Sequence, residues 1–505
     1  MLFNSARFVL VFLPVVLVVF FSLGKVKHRR LAIAWLVAAS LFFYGYFSVR
    51  YLGLLMVLIL INYALGLRFS RDFRDRKQNP YLLAFGIAIN LSVLAYFKYA
   101  NFMIGNVNTV FGTNFVLSNI ILPIGISFFT FQKIGYLVDS YRGEAEEYDL
   151  LEFSLFVMFF PQLIAGPIVH HKEIIPQFRN SALRLSWTDL ASGISCFALG
   201  MFKKVMIADT VAAWANPVFA AAKSGTPLSF FDAWFGALSF AFQIYFDFSG
   251  YTDMALGLAL MIGIRLPLNF NSPYKAGNII EFWRCWHITL SRFLRDYVYI
   301  PLGGNRHGPA IRYANLLLTM LIGGFWHGAA WTFVAWGLLH GVYLVINHAW
   351  RGGREWLGLT RSFGAVGKLS GTILTFLSVV VAWVFFRAED FSSAAVMLKS
   401  MSLFGDLGRL DARWVAISVL LAFVLVLPNS QEILGELRPV IGKINPKGLP
   451  TWLRSATSRI GFTTSAGTFA LTATTGAVVA AILFGSLTYQ ALRLTALQPF
   501  IYFQF

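Results

Sequence analysis

The sequence is poor in charge. Only 13% of its 505 residues are charged, whereas 57% are apolar. A soluble globular domain carries about 25% charged residues, and a soluble chain of this length would divide into several domains joined by polar linkers. No linker of that kind interrupts the sequence. These two absences exclude a water-soluble protein.

The sequence also has few cysteines and lacks the common cofactor and catalytic motifs. The two cysteines, Cys196 and Cys285, lie far apart in apolar stretches, without the spacing of a metal site or a disulfide framework. The chain has no His-Glu-x-x-His sequence, no Walker loop and no Gly-x-Ser-x-Gly elbow. We therefore expect no bound metal or cofactor, and histidine is the best candidate for a general base.

What the chain does have is a series of apolar runs, many of them near the roughly 20 residues that a helix needs to cross a bilayer. They predict an all-α polytopic integral membrane protein with about ten to twelve crossings. The shorter or interrupted runs are candidates for re-entrant segments. The runs are residues 8–24, 31–48, 50–67, 81–97, 116–137, 151–169, 189–207, 229–248, 251–266, 313–326, 329–348, 369–386, 412–428 and 466–487.

The net charge of +18 is concentrated in short loops between the apolar runs. Basic loops at 25–30 and 68–77 are typical of loops held in the cytoplasm. We therefore predict an outer N-terminus, a further cytoplasmic segment at 429–460 and an outer C-terminus. A basic patch for an acidic partner is the less favoured alternative, and we expect the bilayer, not nucleic acid, to be the partner.

Charged groups at membrane depth cost about 3 kcal/mol each, so a sequence that keeps them usually uses them. Asp247 and Asp253 lie between two apolar runs, and Gly250 between them predicts a helix break. The two carboxylates are candidates to bind substrate in a cavity or to pair with arginines. A structural ion pair is slightly favoured over a direct catalytic role.

A second polar stretch covers residues 281–297. Read as one helix, it places Arg284, His287, Ser291 and Arg295 on one face, at i, i+3, i+7 and i+11. Arginines on such a face suit an anionic ligand, such as a nucleotide phosphate or an acyl-thioester carrier. An interfacial helix whose arginines reach lipid headgroups is an equally favoured alternative.

The third stretch contains Trp326 and His327, deep in an apolar run that is rich in glycine. A lone buried histidine in a soluble protein is more often a core residue, but at membrane depth the desolvation cost favours a function. His340 follows thirteen positions later, which would put it on a different face of the same ideal helix. The remaining histidines before residue 310 are predicted loop residues: His28, His170, His171 and His307.

In order along the chain, these motifs resemble the membrane-bound O-acyltransferase family, and within it the bacterial subgroup typified by alginate O-acetyltransferase. The resemblance covers almost the whole chain. Two departures are Cys285, where a second arginine is expected, and His170-His171, in place of an arginine-aromatic pair. The matching stretches are residues 122–131, 160–167, 245–253, 282–287, 294–297, 301–306, 326–328 and 500–505.

The resemblance implies a fold. It predicts one transmembrane domain over residues 1–505, with N-terminal helices at 1–110, a catalytic core at 115–350 and C-terminal helices at 365–505. Members of the family form a ring of tilted helices, with re-entrant helices, around a central tunnel. The two signature histidines of the family fall on His287 and His327.

The resemblance also implies an activity, O-acyl transfer and in particular O-acetyl transfer. An acyl thioester such as acetyl-CoA would supply the acyl group from the cytoplasm. The group would cross the inner membrane to periplasmic O-acetyltransferase partners that modify an exopolysaccharide such as alginate. Acetylation of cellulose or peptidoglycan by the same chemistry remains open.

In this scheme His327 is the catalytic base and His287 orients the donor carbonyl or the oxyanion. Arg284 and Arg295 bind the phosphates of the donor. The other predicted donor-binding or substrate-binding residues are Ser291, Trp326, Asp247 and Asp253.

Tyr502, on the aromatic tail at the predicted outer end, is a candidate acyl relay, although an interfacial anchor is favoured. Three other kinds of protein stay open on the residues alone. They are a membrane transporter, a long-chain acyltransferase acting on lipid or protein, and a scaffold for a secretion complex.

Overall fold

The computed structural model describes residues 1–26, 28–117, 120–180, 185–358, 364–402, 406–434, 440–441, 480–489 and 500–501. Within these ranges nearly all regular structure is helical. The two short strands, Leu266–Pro267 and Val440–Ile441, pair in parallel. The chain divides into two compact units. The first comprises Met1–Phe202, Gly250–Leu268 and Ser430–Phe503, and the second comprises Lys203–Ser249, Asn269–Asn429 and Gln504–Phe505.

The first unit holds most of the N-terminal helices. π-helical turns at Phe8–Phe12 and Ala95–Tyr99 are continuous with the helices beside them. Its α-helices are Leu13–Lys25, Arg29–Gly45, Val49–Arg74, Pro80–Leu94, Ala100–Phe111, Ile126–Tyr141, Leu150–Met158, Phe160–Leu163, His171–Asn180, Trp187–Phe202, Ser430–Ile433 and Ala480–Tyr489.

The second unit holds both signature histidines. It includes π-helical turns at Lys203–Ala208 and Arg295–Tyr299 and a 3-10 turn at Pro273–Lys275. The helix Phe230–Met261 contributes residues to both units. The other α-helices of this unit are Asp209–Lys223, Ile279–Cys285, Ile288–Leu294, Gly308–His327, Trp331–Trp356, Gly364–Arg387, Phe391–Ser402 and Arg413–Val426.

Capping residues in the sequence set several helix ends. Asn79 accepts hydrogen bonds from the backbone N–H groups of Tyr81 and Leu82, and Pro80 occupies the first turn of that helix. Asp149 and Glu152 form a reciprocal capping box at the start of Leu150–Met158. Such side chains satisfy backbone donors that have no partner inside the helix.

Five helical stretches among the described residues are long and apolar enough to cross a membrane. The predicted all-α, polytopic membrane class is confirmed. The number of ten to twelve crossings, the ring, the tunnel and the three-part domain division stay predictions. The five stretches are Phe8–Lys25, Val49–Arg74, Pro80–Phe111, Trp187–Lys223 and Gly364–Arg387.

The predicted helix break at Gly250 is wrong. Phe230–Met261 is one helix of 32 residues, about 48 Å long at 1.5 Å per residue, where two separate runs were predicted. A neighbouring helix passes close to the backbone of Gly250 instead. A Cβ atom on Gly200 would lie 2.5 Å from the carbonyl oxygen of Gly250. Glycines at such a crossing let two helix backbones touch.

Some predictions fall outside the described residues. Most of the predicted cytoplasmic segment 429–460 and the first part of the predicted run 466–487 lie outside them. The same holds for Tyr502 and for most of the terminal motif at 500–505.

Candidate functional site

The polar stretch 281–297 is not one helix, so the predicted continuous polar face is wrong. The helix Ile279–Cys285 ends, Trp286 is extended, and a second helix begins at Ile288. His287 stands between the two helices with φ 42° and ψ 54°. A residue with a side chain is uncommon in this left-handed region, and tertiary contacts must hold it there.

The neighbouring segment 269–271 supplies those contacts. The N–H of Ile288 donates to the carbonyl of Asn269 at 3.0 Å, and the N–H of Asn271 donates to the carbonyl of Cys285 at 2.9 Å. The side-chain oxygen of Asn269 also accepts from the N–H and the hydroxyl of Thr289, at 3.3 and 2.9 Å. Backbone groups that the helix break would leave unpaired are thus satisfied.

Asn269 also determines which nitrogen of His287 carries hydrogen. Its Oδ1 lies 3.1 Å from Nδ1 of His287. The backbone N–H of Thr289 can only donate, so the atom it shares with His287 must be the oxygen of the amide. Nδ1 of His287 therefore carries the hydrogen, and in the neutral ring Nε2 keeps its lone pair as an acceptor.

Aromatic rings surround His287, whose side chain is fully buried. Phe248 meets it edge-to-face with ring centroids 4.8 Å apart. Trp326 lies 6.2 Å away and His327 lies 6.5 Å away, also between centroids. The fold thus brings His287, Trp326 and His327 together within the second unit.

His327 is the last residue of the helix Gly308–His327, and only 3% of it is exposed. Its ring packs against Trp326 and Trp336 at 5.0 Å each and against Phe386 at 5.2 Å. These walls are apolar rings, which exclude water from an imidazole and strengthen any electrostatic interaction that it makes.

Two glycines let the hairpin that carries His327 pack closely. A Cβ atom on Gly324 would lie 2.4 Å from the carbonyl oxygen of Phe333, and one on Gly337 would lie 2.4 Å from that of Met320. The helices Gly308–His327 and Trp331–Trp356 therefore meet backbone to backbone near His327. Small residues at membrane helix crossings allow such an approach.

The predicted donor-binding residues lie near the interruption between the helices Ile279–Cys285 and Ile288–Leu294. The two arginines among them are exposed. Arg284 is exposed in the last turn of Ile279–Cys285. Arg295 is exposed and pairs with its neighbour Asp296 at 2.7 Å. Ser291 is half-buried and its hydroxyl donates to the carbonyl of Trp286 at 3.4 Å.

Asp247 and Asp253 lie on one helix but belong to different units, and each is buried. In the second unit, Asp247 forms an ion pair at 2.6 Å with Lys204, which also pairs with Asp209 at 2.8 Å. The charge partner is a lysine, not an arginine.

In the first unit, Asp253 accepts hydrogen bonds from Ser430 Oγ at 2.6 Å and Gln431 Nε2 at 2.9 Å. These bonds attach the short helix Ser430–Ile433 to the C-terminal part of Phe230–Met261. Over the described parts of the chain, no three His, Cys, Asp or Glu side chains are grouped as a metal site would require.

His171, predicted to be a loop residue, begins the helix His171–Asn180 and is 1% exposed. In the first unit its Nε2 lies 3.0 Å from Asp139 Oδ2, and its Nδ1 lies 2.8 Å from the Tyr148 hydroxyl. The two partners are 32 and 23 positions away, so no local pattern could have indicated this cluster.

His340 is the second histidine that sequence reasoning missed. The run 313–348 is two helices, ending at His327 and restarting at Trp331, so a face computed on one continuous helix does not apply. Trp336 separates the two histidines, with its ring centroid 5.0 Å from that of His327 and 4.8 Å from that of His340.

Comparisons with known proteins agree with the motif resemblance. The model of the membrane-bound O-acyltransferase family matches residues 31–386. A peptidoglycan O-acetyltransferase of Helicobacter pylori is 45% identical over 429 residues, covering 79% of this chain and 80% of that protein. A protein of Pseudomonas aeruginosa named "probable alginate O-acetylase" is 43% identical over 438 residues, covering 85% of this chain and 81% of that protein.

A teichoic acid D-alanyltransferase of Streptococcus thermophilus is more distant. It is 27% identical over 336 residues, covering 63% of this chain and 77% of that protein. The three names combine transfer of an acetyl or D-alanyl group with peptidoglycan, alginate or teichoic acid. The resemblance drawn from the motifs is confirmed.

Proposed function

The chain belongs to the membrane-bound O-acyltransferase family, and we propose that this multi-pass acyltransferase moves an acetyl group from a thioester to a hydroxyl outside the cytoplasm. The observation that supports this most is the burial of His287 and His327 among aromatic rings, with ring centroids 6.5 Å apart. Two imidazoles at this spacing can bracket a hydroxyl and an acyl carbon.

The reaction needs one base and one site for the developing oxyanion. The acceptor oxygen attacks the thioester carbonyl carbon while His327 takes the hydroxyl proton. The tetrahedral intermediate then collapses, the C–S bond breaks, and the thiolate leaves with the proton from His327. The acetyl ester and the free thiol are the products.

Two roles are open to His287, and the protonation state of its ring distinguishes them. A neutral ring whose Nδ1–H is donated to Asn269 has Nε2 as an acceptor, which would compete with His327 for the one proton of the acceptor hydroxyl. Only the protonated ring presents an Nε2–H to the donor carbonyl or the oxyanion. We propose the second role: His327 takes the hydroxyl proton, and a protonated His287 donates from Nε2 to the oxyanion.

The donor is proposed to be an acyl thioester such as acetyl-CoA, bound from the cytoplasmic side. Arg284 and Arg295 are exposed, and arginine suits phosphate recognition because its planar fork can make two hydrogen bonds. Ser291 and Trp326 lie nearer the histidines. Asp247 and Asp253 are proposed to support the fold through the contacts described above, not to bind substrate.

The acceptor is proposed to be a cell-surface glycan, reached through periplasmic partner proteins from an inner-membrane location. The names of the relatives favour two acceptors. One is peptidoglycan, and the other is an exopolysaccharide such as alginate. Tyr502 remains a proposed relay for the acetyl group. Deleting the gene and measuring ester-bound acetate in each polymer separates the two acceptors: the polymer that loses acetate is the substrate.

The central experiment uses the purified full chain in lipid vesicles with acetyl-CoA labelled in the acetyl group. We expect donor-dependent release of free thiol and loss of that release in His327→Ala. The control is His348→Ala, on the helix Trp331–Trp356. Full activity in a folded His327→Ala protein would remove His327 from the mechanism. Movement of a solute without thioester cleavage would favour a transporter instead.

A further inference from the structure

An apolar groove of about 590 Å³ lies in the first unit, between the helical stretch Phe8–Lys25 and the helix Arg29–Gly45. Val15 and Phe42, one from each wall, are 50% and 59% exposed. The groove is therefore open along its length. Exposed apolar surface of this kind marks a site for a membrane or protein partner.

The groove is about as long as one leaflet of a bilayer is deep. It extends from Arg7 to Val16, which lies about 14 Å further along the helical stretch at 1.5 Å per residue. Half of a hydrocarbon core of about 30 Å is about 15 Å. At the Val16 end, the indole N–H of Trp35 donates to the carbonyl of Val16 at 3.1 Å and joins the two walls. A single acyl chain from one leaflet matches this length.

The other end of the groove carries hydrogen-bond donors and positive charge. Arg7 is exposed there, and its Nη1 donates to the hydroxyl of Tyr46 at 3.1 Å. The guanidinium has further N–H donors, and the Tyr46 hydroxyl keeps its own hydrogen. Within the described residues Arg7 forms no ion pair, and Asp72 is the first acidic residue of the chain. This end therefore suits an anion.

We propose that the groove binds an anionic phospholipid, with one acyl chain between the two walls and the phosphate on Arg7 and Tyr46. This inference does not depend on the proposed acyl transfer. Arginine can bind a phosphate through two parallel hydrogen bonds, and each buried methylene of the chain adds affinity. A neutral choline lipid would bring its own cation close to Arg7, which is unfavourable.

A lipid chain fits this groove better than a polypeptide segment would. An extended segment lying in the groove would leave backbone N–H and C=O groups unsatisfied at membrane depth. An acyl chain has no such groups. The apolar walls and the single charged end match a molecule with one apolar chain and one anionic head.

The test titrates the delipidated full chain in detergent with phosphatidylglycerol and phosphatidylcholine and measures bound lipid by native mass spectrometry. We expect the tightest site to prefer phosphatidylglycerol about fivefold, as one arginine near a headgroup would produce. Arg7→Gln should remove this preference but keep binding of phosphatidylcholine, and Arg7→Lys should retain part of it. Arg50→Gln is the control, because Arg50 is exposed and does not line the groove.

A second variant tests the apolar part of the groove. Ala38→Phe places a ring inside it and should weaken binding of both lipids about tenfold or more, since buried methylenes of the chain are displaced. Ala84→Phe makes the same change at an exposed position of Pro80–Leu94, outside the groove, and should have no effect.

Equal affinity for the two lipids, equal losses in Arg7→Gln and Arg50→Gln, or unchanged binding in Ala38→Phe would each overturn the inference. A lipid-free dimer that Ala38→Phe converts to a monomer would assign the groove to a second copy of the chain and overturn it as well.

Discussion

The side-chain oxygen of Asn269 lies 3.1 Å from Nδ1 of His287 and fixes the hydrogen of that ring on Nδ1. The same oxygen holds Thr289, so one side chain sets both the tautomer of His287 and the start of the next helix. A buried histidine in a left-handed conformation depends on such outside support. The chemistry proposed for His287 therefore depends on a residue 18 positions earlier.

Asn269→Ala should lower kcat by about 100-fold, since small displacements of a reacting group cost about that much. It should also destabilise the fold by about 1–3 kcal/mol, because Thr289 and His287 lose their acceptor. Steady-state kinetics and thermal melting check the two effects. Asn271→Ala in the same segment removes only an exposed hydrogen bond from Asn429 and keeps the backbone bond to Cys285, so kcat should not change and stability should fall little. Unchanged kcat in Asn269→Ala would show that His287 needs no positioning.

Gly337→Ala should reduce transfer strongly while the protein still inserts. The added Cβ would lie 2.4 Å from the carbonyl oxygen of Met320, so the two helices must separate near His327. Gly352→Ala on the same helix is the matched control, because nothing lies within 4 Å of its added Cβ. Thiol release by purified variants is the measurement. Equal activity of the two variants would argue that the crossing does not position His327.

Lys204→Met should destabilise the protein by about 3–5 kcal/mol, because it removes the cation that pairs with both carboxylates, Asp209 and Asp247. Asp247→Asn should cost less, since Asp209 still pairs with the lysine. Folded yield and melting temperature in detergent show which of the two variants is less stable. If Asp247→Asn proved the more damaging variant, Asp247 would have a role beyond this ion pair.

Tyr148→Phe removes only the hydroxyl that lies 2.8 Å from His171. It should destabilise the first unit by about 1–3 kcal/mol by leaving a buried ring nitrogen unsatisfied. Tyr81→Phe makes the same chemical change at a residue that is 83% exposed and should have no effect. Activity per folded molecule should be unchanged in both, and a specific loss of transfer in Tyr148→Phe would place this cluster in the reaction.

The positions of most described helices follow from the apolar runs, because burying apolar length in lipid is a local property of the chain. Helix interruptions were harder to predict. Gly250 lies within the continuous helix Phe230–Met261, where a Cβ atom on Gly200 would meet its carbonyl oxygen at 2.5 Å. The break at His287, by contrast, needs hydrogen bonds from residues 269–271, which no nearby sequence pattern reveals.

The sequence by itself determined that the chain is an integral membrane protein, that it is helical and that its motifs are those of an acyltransferase family. These properties reside in composition and in short ordered motifs, which can be read without knowing any contact. Only the tertiary structure decided that Asp247 faces Lys204, that Asn269 orients His287, and that Trp336 lies between His327 and His340. Each of these relationships is a contact between separate helices or segments, and the energy that fixes it exists only when the chain is folded.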